Sequence, residues 1–208
     1  MSIEPPKKSF ESFLRIVVKT PLDVTARFLL KLGLTADHIT LFGLAGQLAA
    51  AVLIAFGHFI WAGLLVLLLA PLDAVDGAMA RMAGVTSKFG AFLDSVTDRY
   101  EELALLGGLI YYWSQQGYTL GVMLSFVAAT GSVLVSYTRA RAEGLGFSGK
   151  VGILSRVERA IVLILGLLIG KPIYSVGIIA VLANITALQR VFSVLEQSKT
   201  AAISTEKE

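Results

Sequence analysis

From His38 to Leu72 the chain carries no Lys, Arg, Asp or Glu, an uncharged run of 35 residues. A single helix needs roughly 20 apolar residues to cross the hydrocarbon of a bilayer, so this run is too long for one crossing and must fold back once. Gly57 and His58 mark the turn, which predicts helices over 39–57 and 60–82. A second uncharged run, Leu103 to Thr138, is broken by Ser114, Gln115, Gln116 and Gly117 and also reads as two helices. A third pair, near 153–170 and 173–192, meets at Gly170, Lys171 and Pro172, a helix stop followed by a restart. The expected fold class is all-α, a polytopic membrane protein with six transmembrane helices. Its 55% hydrophobic content and mean hydropathy of +0.74 are too apolar for a soluble fold.

Six crossings return both termini to one side, and the distribution of basic residues tests this through the excess of Lys and Arg on cytoplasmic loops. Basic residues fall in the N-terminal segment (Lys7, Lys8, Arg15, Lys19, Arg27, Lys31) and in the second-to-third connection (Arg81, Lys88, Arg99). They recur in the fourth-to-fifth connection (Arg139, Arg141, Lys150, Arg156, Arg159) and near the C-terminus (Arg190, Lys199, Lys207), leaving Lys171 alone on the other face. Both termini and any functional chemistry are therefore expected on the cytoplasmic side. The net charge of +3 fits this orientation bias better than a contiguous basic face, which argues against nucleic acid as a partner. The absence of cysteine excludes disulfide frameworks, thiolate metal sites and cysteine nucleophiles.

Three segments follow: a cytoplasmic and interfacial stretch over 1–38, a six-helix transmembrane domain over 39–195, and a polar tail over 196–208. In the first, Phe10, Phe13, Leu14 and Val17 alternate with Glu11, Arg15 and Lys19, which predicts an amphipathic interfacial helix interrupted at Pro21. A loosely ordered basic tail is the alternative.

One stretch concentrates the charge that a membrane protein ordinarily avoids. Asp73 and Asp76 stand i, i+3 at the end of the second helix, and Asp94 and Asp98 stand i, i+4 at the start of the third, so each pair shares a helical face. The short connection around Gly84 to Ser87 lets the two faces meet. A charge near the bilayer centre costs about 3 kcal/mol, so four deep and unpaired carboxylates would cost on the order of 10 kcal/mol. A divalent cation relieves both this cost and the mutual repulsion, and an oxygen-only donor set suits Mg²⁺, Mn²⁺ or Ca²⁺ over zinc. The competing reading is that the aspartates cap helices and pair with Arg81 and Arg99. Gly77 and Gly90 leave backbone open to close approach by a ligand, or else serve helix packing, and Arg81 offers a fork for phosphate.

The pattern Asp73-x2-Asp76-Gly77-x2-Ala80-Arg81-x8-Gly90-x3-Asp94-x3-Asp98 matches every fixed position of the signature of the CDP-alcohol phosphatidyltransferase family, and the six-helix layout resembles that family over nearly the whole chain. The resemblance implies a homodimer with CMP as leaving group and a site dependent on Mg²⁺ or Mn²⁺, two ions in the mechanism expected. It implies that Asp73, Asp76, Asp94 and Asp98 hold metal, that Asp98 is also the catalytic base, and that Gly77, Ala80, Arg81 and Gly90 line the CDP site. The donor would be CDP-diacylglycerol or CDP-archaeol in a bacterial or archaeal plasma membrane.

The acceptor is expected at the third helix pair, where Arg139 and Arg141 end the fourth helix, Arg156 and Arg159 begin the fifth, and Arg190 lies near the end of the sixth. Orientation bias explains basic residues here, but it does not require arginine over lysine or a position inside the apolar span, so an anionic acceptor is inferred, a phosphate monoester held by Arg139, Arg156, Arg159 and Arg190. The segments Ser136 to Glu143, Ser155-Arg156-Val157-Glu158-Arg159 and Gln189-Arg190 resemble the branch of the family that uses inositol 1-phosphate to make phosphatidylinositol phosphate or archaetidylinositol phosphate. That branch often has lysine where Arg139 stands, and usually Glu and Pro where Ser155 and Val157 stand. Glycerol 3-phosphate is the competing acceptor. Two rival functions are a membrane prenyltransferase, which would carry its aspartate pairs on more widely separated helices, and a divalent-cation transporter. Transport needs polar groups throughout the bilayer, whereas the outer half of these helices offers only His58 and Lys171.

Overall fold

The structure, a computed structural model, describes residues 10–84 and 88–205, with side chains over 21–84 and 88–200. The basic pair Lys7 and Lys8, the side chains of the amphipathic alternation over 10–20, most of the 84–87 connection and the last three residues of the polar tail lie outside it. The described residues form eight helices and no strand: α1 (Phe10–Lys31), α2 (Ala36–Ala55), α3 (Phe59–Leu69), α4 (Leu72–Met82), α5 (Lys88–Gln115), α6 (Thr119–Gly144), α7 (Arg156–Leu168) and α8 (Pro172–Thr205). Four stretches are long and apolar enough to cross a membrane, Ala36–Ala55, Phe59–Met82, Thr119–Gly144 and Pro172–Thr200. Two of the six expected crossings have a different character. α5 is long but carries Asp94, Asp98, Arg99, Glu101 and Glu102 between its start and its middle turn, and α7 has only 13 residues.

The expected turns fall where glycine adopts positive φ, at Gly57 (82°) and Gly170 (72°), a backbone conformation that other residues rarely reach. Proline behaves less simply. Pro21 was expected to interrupt the first helix, yet α1 runs through it, because proline removes one backbone hydrogen bond and the flanking turns carry the helix on. The expected 60–82 helix is divided at Ala70 and Pro71 into α3 and α4, with Pro71 at the N-cap of α4.

The chain forms two compact units, each from two segments: 1–45 with 69–97, and 46–68 with 98–208. In the first unit Leu22, Ala26, Leu29 and Leu30, one stripe of α1, pack with Leu72, Val75, Ala78 and Met79 of α4 and with Ile39 of α2. In the second unit the core gathers Ala50, Ala51 and Ile54 of α2, Leu105, Leu106 and Leu109 of α5, Leu163 and Leu167 of α7, and Val176, Ile179 and Ala183 of α8. Small residues set helix spacing there, as expected where apolar lipid cannot itself drive helices together. A Cβ on Gly108 would fall 2.5 Å from the Ala51 carbonyl oxygen, and one on Gly131 would fall 2.5 Å from Asn184 Nδ2.

Candidate active site

α4 has two working faces. Leu72, Val75 and Met79 face α1, while Asp73, Asp76, Gly77 and Ala80 repeat at i, i+3, i+4 and i+7 on another side and line a cavity of about 450 Å³. The same cavity is lined by Arg81 and, from the first turns of α5, by Gly90 and Asp94. Three of the four expected metal ligands and all four expected CDP contacts thus share one space within the first unit. Asp76 is buried, at 6% exposure, and Thr40 of α2 donates to its Oδ2 at 2.6 Å. A Cβ on Gly77 would meet Arg81 Nη1 at 3.4 Å, an ordinary contact, so the protein's own packing does not demand glycine there. Asp73 stands in the first turn of α4, behind Pro71 at the N-cap, and Asp76 lies one turn further on.

The donor set fits a hard divalent cation. Asp73, Asp76 and Asp94 offer only carboxylate oxygen, and neither histidine of the chain lines the cavity.

Asp98 belongs to the second unit, where α5 presents Asp98, Glu101 and Glu102 at i, i+3 and i+4 towards Arg156 and Arg159 of α7. These five residues line a cavity of about 60 Å³ together with Gln47 of α2 and apolar residues that include Val66, Leu106 and Ile179. Arg156 Nη2 lies 2.7 Å from Asp98 Oδ1 and 3.4 Å from Glu101 Oε2, and Arg99 lies 3.8 Å from Asp98. Arg159, 1% exposed, donates Nε and Nη2 to the two oxygens of Glu102 at 2.6 and 2.8 Å, and Nη1 to the Leu154 carbonyl at 3.4 Å. Ser155, where the resemblance led us to expect glutamate, is the N-cap of α7: its backbone N–H donates to Glu158 Oε2 at 2.8 Å, and its hydroxyl donates to the same oxygen.

Arg139 and Arg190 lie outside that cavity, beside the loop between α6 and α7. Arg139 is exposed and pairs with Glu143 at 2.9 Å, one helical turn away. A Cβ on Gly149 would fall 2.9 Å from Arg139 Cα, so the loop runs close over the end of α6. α8 holds this loop along one face: Thr186 accepts from Leu154 N at 3.1 Å, Arg190 Nε donates to the Val151 carbonyl at 2.9 Å, and Gln197 bonds both N and O of Ser148. Arg190 Nη1 also donates to the Val135 carbonyl.

Sequence reasoning missed Thr40, Glu101, Glu102 and Gln47. Glu101 and Glu102 carried a usable signal, since they extend the Asp94, Asp98 spacing by one more turn. Thr40 and Gln47 carried none, being isolated polar residues in an apolar run.

The model of the CDP-alcohol phosphatidyltransferase family matches residues 33–195. A relative from Mycobacteroides abscessus named phosphatidylinositol phosphate synthase is 35% identical over 196 residues, covering 89% of this chain and 86% of its own. One from Pyrococcus horikoshii named archaetidylinositol phosphate synthase is 37% identical over 183 residues, covering 87% and 94%. Among solved structures, the phosphatidylinositol phosphate synthase of Mycobacterium tuberculosis with CDP-DAG bound is similar at TM-score 0.77 and 31% identity, over 83% of this chain and 92% of that one. The same enzyme in complex with manganese and citrate gives TM-score 0.79 at 31% identity, over 84% and 88%.

Proposed function

The chain belongs to the CDP-alcohol phosphatidyltransferase family, and we propose that it moves the phosphatidyl or archaetidyl group of a CDP-lipid to inositol 1-phosphate with release of CMP. The observation that carries this reading is the 450 Å³ cavity in which Asp73, Asp76 and Asp94 meet Gly77, Ala80, Arg81 and Gly90. Divalent ions, two of Mg²⁺ or Mn²⁺ held by these aspartates and Asp98, would neutralise the donor pyrophosphate and its departing CMP. Arg81 holds a phosphate of the donor, and the bare backbone at Gly77 and Gly90 admits the nucleotide. Asp98 takes the proton of the attacking hydroxyl. The hydroxyl oxygen then forms a bond to the lipid-side phosphorus as the bond from that phosphorus to the CMP oxygen breaks. Arg139, Arg156, Arg159 and Arg190 are assigned to the acceptor's phosphate. Arg139 and Arg156 are the more exposed of the four, while Arg159 and Arg190 also hold α7 and the loop before it.

In the bacterial or archaeal plasma membrane we assign the chain six crossings, with α5 and α7 completing the four apolar spans, and α1 lying at the interface. The basic residues favour cytoplasmic termini and a cytoplasmic site. The family's homodimer is carried over as part of the proposal.

The test is CMP release by the purified protein in detergent with Mg²⁺, using ester-linked and ether-linked CDP-lipid in turn. Acceptors are inositol 1-phosphate, free inositol, glycerol 3-phosphate and none. Release confined to inositol 1-phosphate is expected. Release confined to glycerol 3-phosphate would keep the aspartate chemistry and overturn the acceptor, and silence with every pair would overturn the transferase reading.

A further inference from the structure

Buried polar atoms almost always find a partner, so each exception asks for an explanation. In the second unit Gln47 is 9% exposed, its Oε1 is buried with no hydrogen-bond partner, and its side chain lines the cavity that Asp98 enters. We propose that Gln47 is a specificity-determining residue whose side-chain carbonyl accepts a hydrogen bond from a ring hydroxyl of the acceptor, beside the hydroxyl that Asp98 deprotonates. This inference rests on the transferase reading above and adds to it the group that reads the polyol.

The chemistry of the walls selects the ligand. The guanidinium groups in this cavity face carboxylates: each nitrogen of Arg159 donates to a protein oxygen, and Arg156 Nη2 is shared between Asp98 and Glu101. The polar wall therefore presents carboxylate acceptors, with the Gln47 side chain beside them. A hydroxyl donates to such a wall, whereas a phosphate brings only acceptors and has to compete with the carboxylates for Arg156 and Arg159. Size agrees. A water needs roughly 15 Å³ of such space, so about 60 Å³ admits a few waters or one hydroxyl-bearing edge of a ring, but not the ring together with its phosphate. The acceptor thus enters hydroxyl-first, leaving its phosphate to the arginines nearer solvent.

Leaving such an acceptor unpaired in the productive complex should cost roughly tenfold to hundredfold in kcat/KM for an acceptor that lacks the hydroxyl, equivalent to about 1.4–2.7 kcal/mol. The experiment compares inositol 1-phosphate with its monodeoxy analogues on the wild-type protein and on Gln47→Met, which keeps side-chain length and removes the amide. In the wild type, removal of one hydroxyl other than the attacking one should lower kcat/KM at least tenfold. In Gln47→Met the parent acceptor should lose a similar factor, and the same analogue should then match it. KM for the CDP-lipid and the melting temperature should stay within error. A Gln47→Met protein that discriminates among analogues as the wild type does overturns the proposal, as does an equal loss of affinity for both substrates. The wild-type arm tests it without any variant, since indifference to every non-attacking hydroxyl also overturns it. Wild-type silence with inositol 1-phosphate would instead be a failure of the acceptor reading on which it stands.

Discussion

Arg159 and Glu102 form the most enclosed ion pair described in the molecule, and the cost of breaking it shows what Arg159 does. The guanidinium is 1% exposed and the Glu102 side chain 17%, with two parallel bonds of 2.6 and 2.8 Å and a third to the Leu154 carbonyl. Bidentate geometry of this kind makes the pair strong once formed, while each charge alone is costly to keep out of water. Arg159→Met leaves Glu102 facing an apolar side chain, and the expected cost is about 3–5 kcal/mol. At about 2–4 °C per kcal/mol for a chain of this size, the melting temperature should fall by roughly 6–20 °C. Glu102→Met should cost as much, because it leaves the guanidinium buried and unpaired. The double variant should recover most of the loss, since apolar replacement of a whole buried pair is often near neutral, so its cost should fall far below the sum of the two single costs in the double-mutant cycle. The assay is thermal unfolding of the four proteins in detergent, followed by tryptophan fluorescence, with acceptor KM measured in parallel. A melting temperature within about 2 °C of wild type for Arg159→Met, joined to a large rise in acceptor KM, would refute this reasoning and leave Arg159 as a phosphate contact alone. Additive single effects would refute it as well.

Asp98→Asn should lower CMP release by about 10²–10⁴-fold while the protein stays folded, and near-normal turnover would remove Asp98 from the role of base. Thr40→Val keeps the shape of the side chain but removes the 2.6 Å bond to Asp76, and Mn²⁺ affinity read by titration should fall about tenfold or more, unchanged affinity being the contrary result. Gly131→Ala should cost about 1–3 kcal/mol, because its Cβ would fall 2.5 Å from Asn184 Nδ2; Gly177→Ala, with nothing within 4 Å, should be nearly silent in the same unfolding assay. Arg190→Met frees the Val151 and Val135 carbonyls, and hydrogen exchange at residues 148–154 should speed up about tenfold, corresponding to about 1.4 kcal/mol of local opening. Exchange unchanged in that segment would show that Thr186 and Gln197 hold the loop without it.

What was legible in the sequence was local. The i, i+3 spacing of Asp73 and Asp76 needs only a helix to share a face, and a helix end was dictated by the uncharged run before it, so α4 delivers both to one cavity. Gly57 and Gly170 likewise announced turns through a backbone property of single residues. The partners of those residues were not legible, because they come from far along the chain: Thr40 meets Asp76 across 36 positions, and Arg159 meets Glu102 across 57. A threonine in an apolar run and a glutamate beside a charged helix turn look the same whether or not anything faces them.

The arginines show why this limit bears on function. Orientation rules place basic residues at one end of the bundle without saying what they touch. α5 carries Asp98, Glu101 and Glu102 in close succession, and a helix so acidic cannot pack against apolar neighbours unless cations answer it. Arg156 and Arg159 on α7 supply them at the matching i, i+3 spacing. The same geometry that lets α7 pack also draws guanidinium groups away from an incoming phosphate and leaves Gln47 as an acceptor without a donor. An arginine cluster read from sequence as a phosphate site is therefore, in part, the counter-charge of the helix that carries the base, and the two roles separate only when stability and acceptor KM are measured on the same variants.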